Sequence, residues 1–180
     1  MKTAQATIVA CVTAFVMASL LGPPAAAEVV TFKRAGGWEA FGGRSNNGGK
    51  LCGMATSGGG RWFGIKYFEG APSLTIQLSK NTWKVRPGTQ IDVIMQFDNE
   101  SPWKARATAF YMDYGDAALE FQINRQQLRQ WINEFRESTL LYVRFPSSNV
   151  EDWQANLSGT QQIADAMGQC LQAMSASASR

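Results

Sequence analysis

The amino-acid sequence predicts a mainly β fold, an antiparallel β-sandwich or curled sheet of about eight or nine strands with two late α-helices packed on it. Three observations lead there. Short segments of alternating apolar and polar residues recur through the middle of the chain, the period of a strand with one buried face. Clusters rich in Gly, Pro, Asn and Asp separate them, and these are turn formers. Apolar residues at helical spacing appear only in two late segments.

The first segment belongs to targeting rather than to the fold. Lys2 precedes an apolar run from Ala6 to Leu21, Gly22-Pro23-Pro24 breaks it, and Ala25-Ala26-Ala27 supplies small residues for cleavage. This is the pattern of a secretory signal peptide cut after Ala27. A membrane anchor fits less well, since about 16 apolar residues fall short of the roughly 20 that span a bilayer. Lipidation at Cys11 would cut in mid-run and leave Val12 to Leu21 on the product. The organisation expected is therefore a signal peptide over 1–27, one β-rich domain over 28–174, and a disordered tail over 175–180. Cleavage takes the chain from 180 to 153 residues and, with the loss of Lys2, the formal charge from +3 to +2.

Within the domain, Trp38 to Phe41 opens the fold and a glycine-rich loop runs from Gly42 to Gly49. A phosphate-binding loop would need Gly-Lys-Ser/Thr opening a helix, whereas Gly49-Lys50 leads into Leu51-Cys52. Leu51 to Thr56 and Arg61 to Phe68 form a hairpin across Ser57-Gly58-Gly59-Gly60. Leu74, Ile76 and Leu78 alternate with Thr75, Gln77 and Ser79, the clearest strand signal in the chain. A short strand over Asn81 to Val85 is expected next, then the turn Arg86-Pro87-Gly88. Ile91 to Phe97 and Lys104 to Tyr111 follow as strands, the second with small inward residues Ala105, Ala107 and Ala109, against which the helices are expected to pack. Leu119, Phe121 and Ile123 mark another strand.

Asn124 then caps a helix, with Gln127 three residues on and an apolar stripe of Leu128, Trp131, Ile132 and Phe135. Leu141 to Phe145 and a short segment from Trp153 to Leu157 complete the strands. Ser158-Gly159-Thr160-Gln161 reads as a capping box before the last helix, whose stripe is Ile163, Met167, Cys170, Leu171 and Met174. Cys170 therefore points at the sheet.

Composition narrows the chemistry. The chain has no histidine, which excludes Ser-His-Asp and Cys-His catalytic units, His-ligated zinc or haem, and a His-based pH switch. Asp113, Asp116 and Glu120 are the acids that a His-independent glycan-acting enzyme would use, but nothing around them reads as a nucleophile or a metal loop. No catalytic residue, metal or cofactor is expected. The weak, dispersed positive charge argues against nucleic acid, and Lys80, Lys84, Arg86, Lys104 and Arg106 read chiefly as a solvated face.

Two features remain. Once Cys11 leaves with the signal, Cys52 and Cys170 form an even pair in an exported chain, and one disulfide is expected. Trp62, Trp83 and Trp103, with Lys84, Lys104 and Arg106, are the candidate binding residues. An outward-facing Trp beside cationic side chains stacks on sugars or anchors a protein; the competing reading places these rings in the core.

Gly37-Trp38-Glu39-Ala40-Phe41, the early Cys52 beside a hairpin, Pro102-Trp103, and Leu157-Ser158-Gly159-Thr160 leading into a helix with Cys170 together resemble the invasion-associated locus B family of small exported alphaproteobacterial proteins. The resemblance implies an exported β-sandwich linked to host interaction, and it brings no catalytic residues. The function expected is that of a non-enzymatic envelope protein, periplasmic or secreted, with no membrane span after cleavage. It would bind a protein or an envelope glycan, and the alternative is an inhibitor or immunity protein for an envelope-targeted enzyme.

Overall fold

The structure, a computed structural model, describes residues 28–178. The predicted signal peptide, its cleavage site and Cys11 lie outside the described residues, as do Ser179 and Arg180. Ten strands and two helices follow in the order β1 (Glu28–Ala35), β2 (Trp38–Arg44), β3 (Lys50–Gly58), β4 (Arg61–Phe68), β5 (Ser73–Lys80), β6 (Gln90–Phe97), β7 (Trp103–Tyr111), β8 (Ala117–Asn124), α1 (Arg125–Glu137), β9 (Leu140–Arg144), β10 (Trp153–Asn156) and α2 (Thr160–Ala178).

All ten strands are antiparallel and belong to one open sheet, ordered β1-β2-β3-β4-β5-β8-β7-β6-β9-β10. The curled sheet is therefore the correct member of the expected pair. It curls far enough for its two halves to meet. Trp153 on β10 lies 6.2 Å from Phe63 on β4, Phe63 lies 5.7 Å from Trp38 on β2, and Trp38 lies 5.0 Å from Phe135 on α1, all edge to face. From α1 the run continues through Trp131 to Phe97 on β6, 5.3 Å away. Trp38 Nε1 also donates to the Asn156 carbonyl of β10 at 2.8 Å. Edge-to-face pairs of this kind add to the burial of the rings themselves.

The alternation that predicted the central strands is visible as burial in β6, where Ile91, Val93, Met95 and Phe97 are buried and the residues between them are not, whereas β5 is buried on both faces, Thr75, Gln77 and Ser79 included. Leu74, Ile76 and Leu78 pair with Ile123, Phe121 and Leu119 on the core face of β5 and β8. The β3–β4 connection is a two-residue turn, Gly59-Gly60, with φ of 57° and 70°. Both angles are open to glycine without steric cost, as the hairpin's primed turn requires.

Helix α1 begins as expected: the Asn124 side chain accepts from the Gln127 amide at 3.0 Å, and Trp131 and Phe135 are buried. Helix α2 starts differently from the predicted capping box. Buried Thr160 donates its hydroxyl to the Leu157 and Phe135 carbonyls, fastening the start of α2 to the end of α1. Gly159, with φ of 91°, crosses the β1–β2 turn so closely that a Cβ there would sit 2.6 Å from Ala35 carbonyl atoms, and a Cβ on Gly36 would sit 1.7 Å from the Ser158 oxygen. Only glycine at both positions permits that approach.

The structure corrects the sequence reading at four further places. Glu28–Ala35 is a strand, so the fold opens before Trp38. Asn81 to Val85 is not a strand: Trp83 N donates to the Lys80 carbonyl at 3.0 Å, a turn, and the chain stays irregular to Gln90. The helices pack mainly on β1, β2, β3, β5 and β8 rather than over the alanines of β7. The last helix continues past Met174 to Ala178, and Ser175 Oγ donates back to the Leu171 carbonyl at 3.0 Å.

Cys52 on β3 and Cys170 on α2 form the expected disulfide, with Cα atoms 6.0 Å apart and a sequence separation of 118. Among the described residues no helix is long and apolar enough to cross a membrane.

Candidate functional site

The six candidate binding residues fall into three places. Trp103, half-buried, packs on the core and donates from Nε1 to Glu134 Oε2 of α1 at 2.5 Å. Its polar atom holds the helix to the sheet. Trp62 lies on the opposite face of the sheet from the core, in a small apolar cluster with Phe41, Leu51, Ala55 and Phe68. Its ring covers Gly64, where a Cβ would meet it at 1.9 Å. Lys66 Nζ stands 5.2 Å from the ring centroid. That ammonium also donates to Gln77 Oε1 at 2.7 Å, and Gln77 donates on to Glu120 at 2.6 Å. Burial pushes the Lys66 ammonium below the usual lysine value, with the negative charges of Glu120 and Asp113 opposing the shift. Asp113 in turn accepts from Asn46 at 2.8 Å, tying the tip of the β2–β3 hairpin to that of β7–β8.

Trp83 is not the exposed platform that the sequence suggested. It is only 8% exposed and meets Phe145 edge to face at 5.5 Å. Without a strand to hold its alternation outward, the 81–89 loop turns this ring into the core, where apolar area is removed from water. The residue nevertheless lines a groove of 680 Å³ between that loop and residues 147–151, together with Lys80, Lys84 and Arg86. A second groove, of 370 Å³, adjoins it across Pro146 and carries Lys104 and Arg106.

These two grooves gather the basic residues that the sequence had read as dispersed. Lys80, Lys84, Arg86, Lys104 and Arg106 face two carboxylates, Glu151 and Asp92, which leaves a formal +3, equal to that of the whole chain. Asp92 accepts from Arg106 at 3.0 Å. Glu151 is shared: Lys80 bonds one of its oxygens and Arg61 the other, the latter at 3.1 Å. The hydrogen bond and charge of Lys80, with those of Arg61, hold the exposed Glu151 carboxyl below its ordinary value. Lys84 and Arg86 make no ion pair among the described residues.

A larger cleft of 950 Å³ lies beyond Glu151, where β6, β9 and β10 meet the start of β4. Its floor is a cross-strand row, since Gln96 on β6 and Gln154 on β10 both stand opposite Tyr142 on β9. Arg144 and Arg61 flank the row. Asp98 at its rim has a φ of 43°, the one left-handed non-glycine residue among those described. Its two oxygens accept from Thr139 N and Leu140 N, both at 2.8 Å, which fixes that backbone.

No protein-family model and no curated protein matches this sequence. Among solved structures, the chain is similar to the crystal structure of invasion associated protein B from Bartonella henselae, with a TM-score of 0.57 and 11% identity over 79% of this chain and 99% of that one. The likeness is one of fold. It agrees with the resemblance read from Trp38, Cys52, Trp103 and Cys170, three of which the structure shows in core roles: Trp38 joins β2 to β10, and the two cysteines join β3 to α2.

The 950 Å³ cleft was missed from sequence. Gln96, Tyr142 and Gln154 come from three strands, and only the register makes them neighbours. One signal was present in the alternation of Tyr142 and Arg144 with buried Leu141 and Val143, which places an aromatic ring and a guanidinium on the wet face.

Proposed function

We propose that the chain is an exported, non-enzymatic binding protein of the cell envelope, and that an anionic protein or envelope glycan docks on the paired basic grooves. The observation that carries this reading is the concentration of five cationic side chains around Pro146–Glu151, with Lys84 and Arg86 unpaired. A surface of one sign attracts an oppositely charged partner over a Debye length, about 8 to 10 Å at ordinary salt. Export is supported by the N-terminal pattern and by a disulfide of the kind that oxidising compartments maintain. The name of the Bartonella protein makes a host-facing partner the first to look for. A non-enzymatic role is supported by the lack of histidine and by the structural hydrogen bonds of Asp113 and Glu120.

The test is affinity capture from envelope and culture-supernatant fractions with the native protein and with Lys84→Glu/Lys104→Glu. Both side chains are exposed, so the fold is expected to tolerate the change. The captured partner is expected to fall at least tenfold with the double variant and to elute from the native protein at about 0.5 M salt. Equal capture by both proteins would sink the proposal.

Glu151 supplies a second prediction. Glu151→Gln releases Lys80 and Arg61 from a shared carboxylate and raises the local positive charge by one. Capture of the same partner is expected to strengthen about two- to fivefold at low salt, an advantage that vanishes at high salt, with Tm lowered by no more than about 2 °C because Glu151 itself is exposed. Weaker binding would mean that the partner is cationic there.

A further inference from the structure

The two basic grooves follow one another along β6. Gln90 and Ile91 line the larger and Asp92, Val93 and Ile94 the smaller, while Pro146 of the smaller leads directly into Ser147 of the larger. Residues 90–94 of an extended strand span about 14 Å. The register of β7 sets Arg106 beside Asp92 and Lys104 beside Ile94, and residues two apart on a strand share a face. Lys84 and Arg86, from the loop that leads into β6, line the groove at the other end. The cations therefore form a track rather than a point. Lys80 and Arg106 are engaged by Glu151 and Asp92, whereas Lys84, Arg86 and Lys104 are exposed and make no ion pair among the described residues. Free cations spread along a track call for anions that repeat along a chain.

The neutral lining decides which chain. Thr82, Thr89, Ser147, Ser148 and Asn149 line the larger groove, and their hydroxyls and carboxamide both donate and accept hydrogen bonds, as the hydroxyls of a sugar require. A protein partner would instead seek an apolar anchor at the centre of the surface. The large apolar side chains exposed among the described residues are Val29, Val30, Phe32, Tyr111, Tyr114 and Tyr142, and none of them lines either groove. A single-stranded nucleic acid would seek the same rings to stack its bases. Two of the three free cations are lysines, point charges without the planar fork that matches a carboxylate. Given the anionic docking proposed above, on which this rests, we infer that the paired grooves bind a linear, densely sulfated glycan. Its sulfates lie on Lys84, Arg86 and Lys104, and its hydroxyls meet residues 147–149.

The experiment is calorimetric titration of the native chain with size-defined heparin oligosaccharides at about 0.15 M salt. Affinity is expected to rise at least tenfold from disaccharide to hexasaccharide, as one chain reaches both grooves. The desulfated hexasaccharide should bind at least tenfold more weakly than the sulfated one. Lys84→Glu/Lys104→Glu is expected to lose at least tenfold. Arg125→Glu/Arg129→Glu makes the same change of charge at exposed positions of α1 that line neither groove, and should lose no more than about twofold. Equal losses in the two variants would mean that only net charge is felt, which overturns the inference, as does equal affinity for disaccharide and hexasaccharide. Tighter binding of polyglutamate or of duplex DNA overturns it in favour of another polyanion. Should heparin fail to bind while envelope capture still yields an anionic protein that Lys84→Glu/Lys104→Glu loses, the glycan is overturned and the docking surface stands; failure of both removes the surface itself.

Discussion

Replacing Cys52 and Cys170 together by Ala is expected to destabilise the fold by about 4 kcal/mol and to lower Tm by roughly 8 to 15 °C. The bridge spans 118 residues, and a cross-link over so long a loop removes a large share of the conformations open to the unfolded chain. The native state contributes a second effect. Cys52 is 1% exposed near the start of β3, so losing the bridged sulfurs leaves unfilled space between strand and helix. Helix α2 packs on β1, β2 and β3, and the bridge is its one covalent hold on them. Amide exchange in the double variant should therefore accelerate first along α2, with β5 and β8 following only on global unfolding. Calorimetry of the two proteins measures the main effect. The intact mass of native material, two hydrogens below that of the reduced chain, checks that the bridge is present. Free thiols in protein purified from the periplasm, or a Tm within about 2 °C of native, would remove the bridge from the account of stability.

The elements most legible in the sequence are those whose two faces see different surroundings. β6 alternates because only one of its faces meets the core, and α1 carries Trp131 and Phe135 at helical spacing for the same reason; on β5 the second face is buried too, but under polar partners, so Thr75, Gln77 and Ser79 keep the alternation in residue type. β1 gave no such signal. Val29, Val30 and Phe32 are all exposed and the strand is nearly bare on both faces, so burial imposed no period on it. A bulge between Thr31 and Lys33, with the charges of Lys33 and Arg34, also makes this edge a poor template for another strand. At Asn81 to Val85 the error ran the other way: Trp83 and Val85 alternate like a strand but plug a loop, which a period of two residues cannot distinguish.

The binding surfaces depended on topology in a similar manner. Lys84 and Lys104 are brought to adjoining grooves because the 81–89 loop and the β6–β7 hairpin flank the same Pro146 segment. Placing a side chain on the wet face was within reach of the sequence, as Lys104, Arg106 and Tyr142 show. Which wet residues meet is a matter of register and of sheet curl, and both depend on pairings between strands far apart in the chain.

Trp38→Ala is expected to cost about 4 kcal/mol, comparable to loss of the bridge, because this side chain closes the curled sheet from within. It is 1% exposed and touches Phe63 and Phe135 edge to face. Its indole N–H also donates to the carbonyl of Asn156 on β10, at the far end of the strand order. Truncation opens a large cavity and leaves that carbonyl unpaired, two penalties with separate origins. Trp38→Phe separates them. It keeps most of the ring contact but loses the donor, and is expected to cost about 2 kcal/mol. Urea unfolding of the three proteins gives both values. The pairing with Phe135 can be isolated by adding Phe135→Ala to Trp38→Ala, where the two losses should fall short of additivity by about 1 kcal/mol. Full additivity would mean that the rings touch without stabilising each other. A loss below about 1 kcal/mol for Trp38→Ala alone would mean that β10 is held by its pairing with β9 and not by the aromatic run across the core.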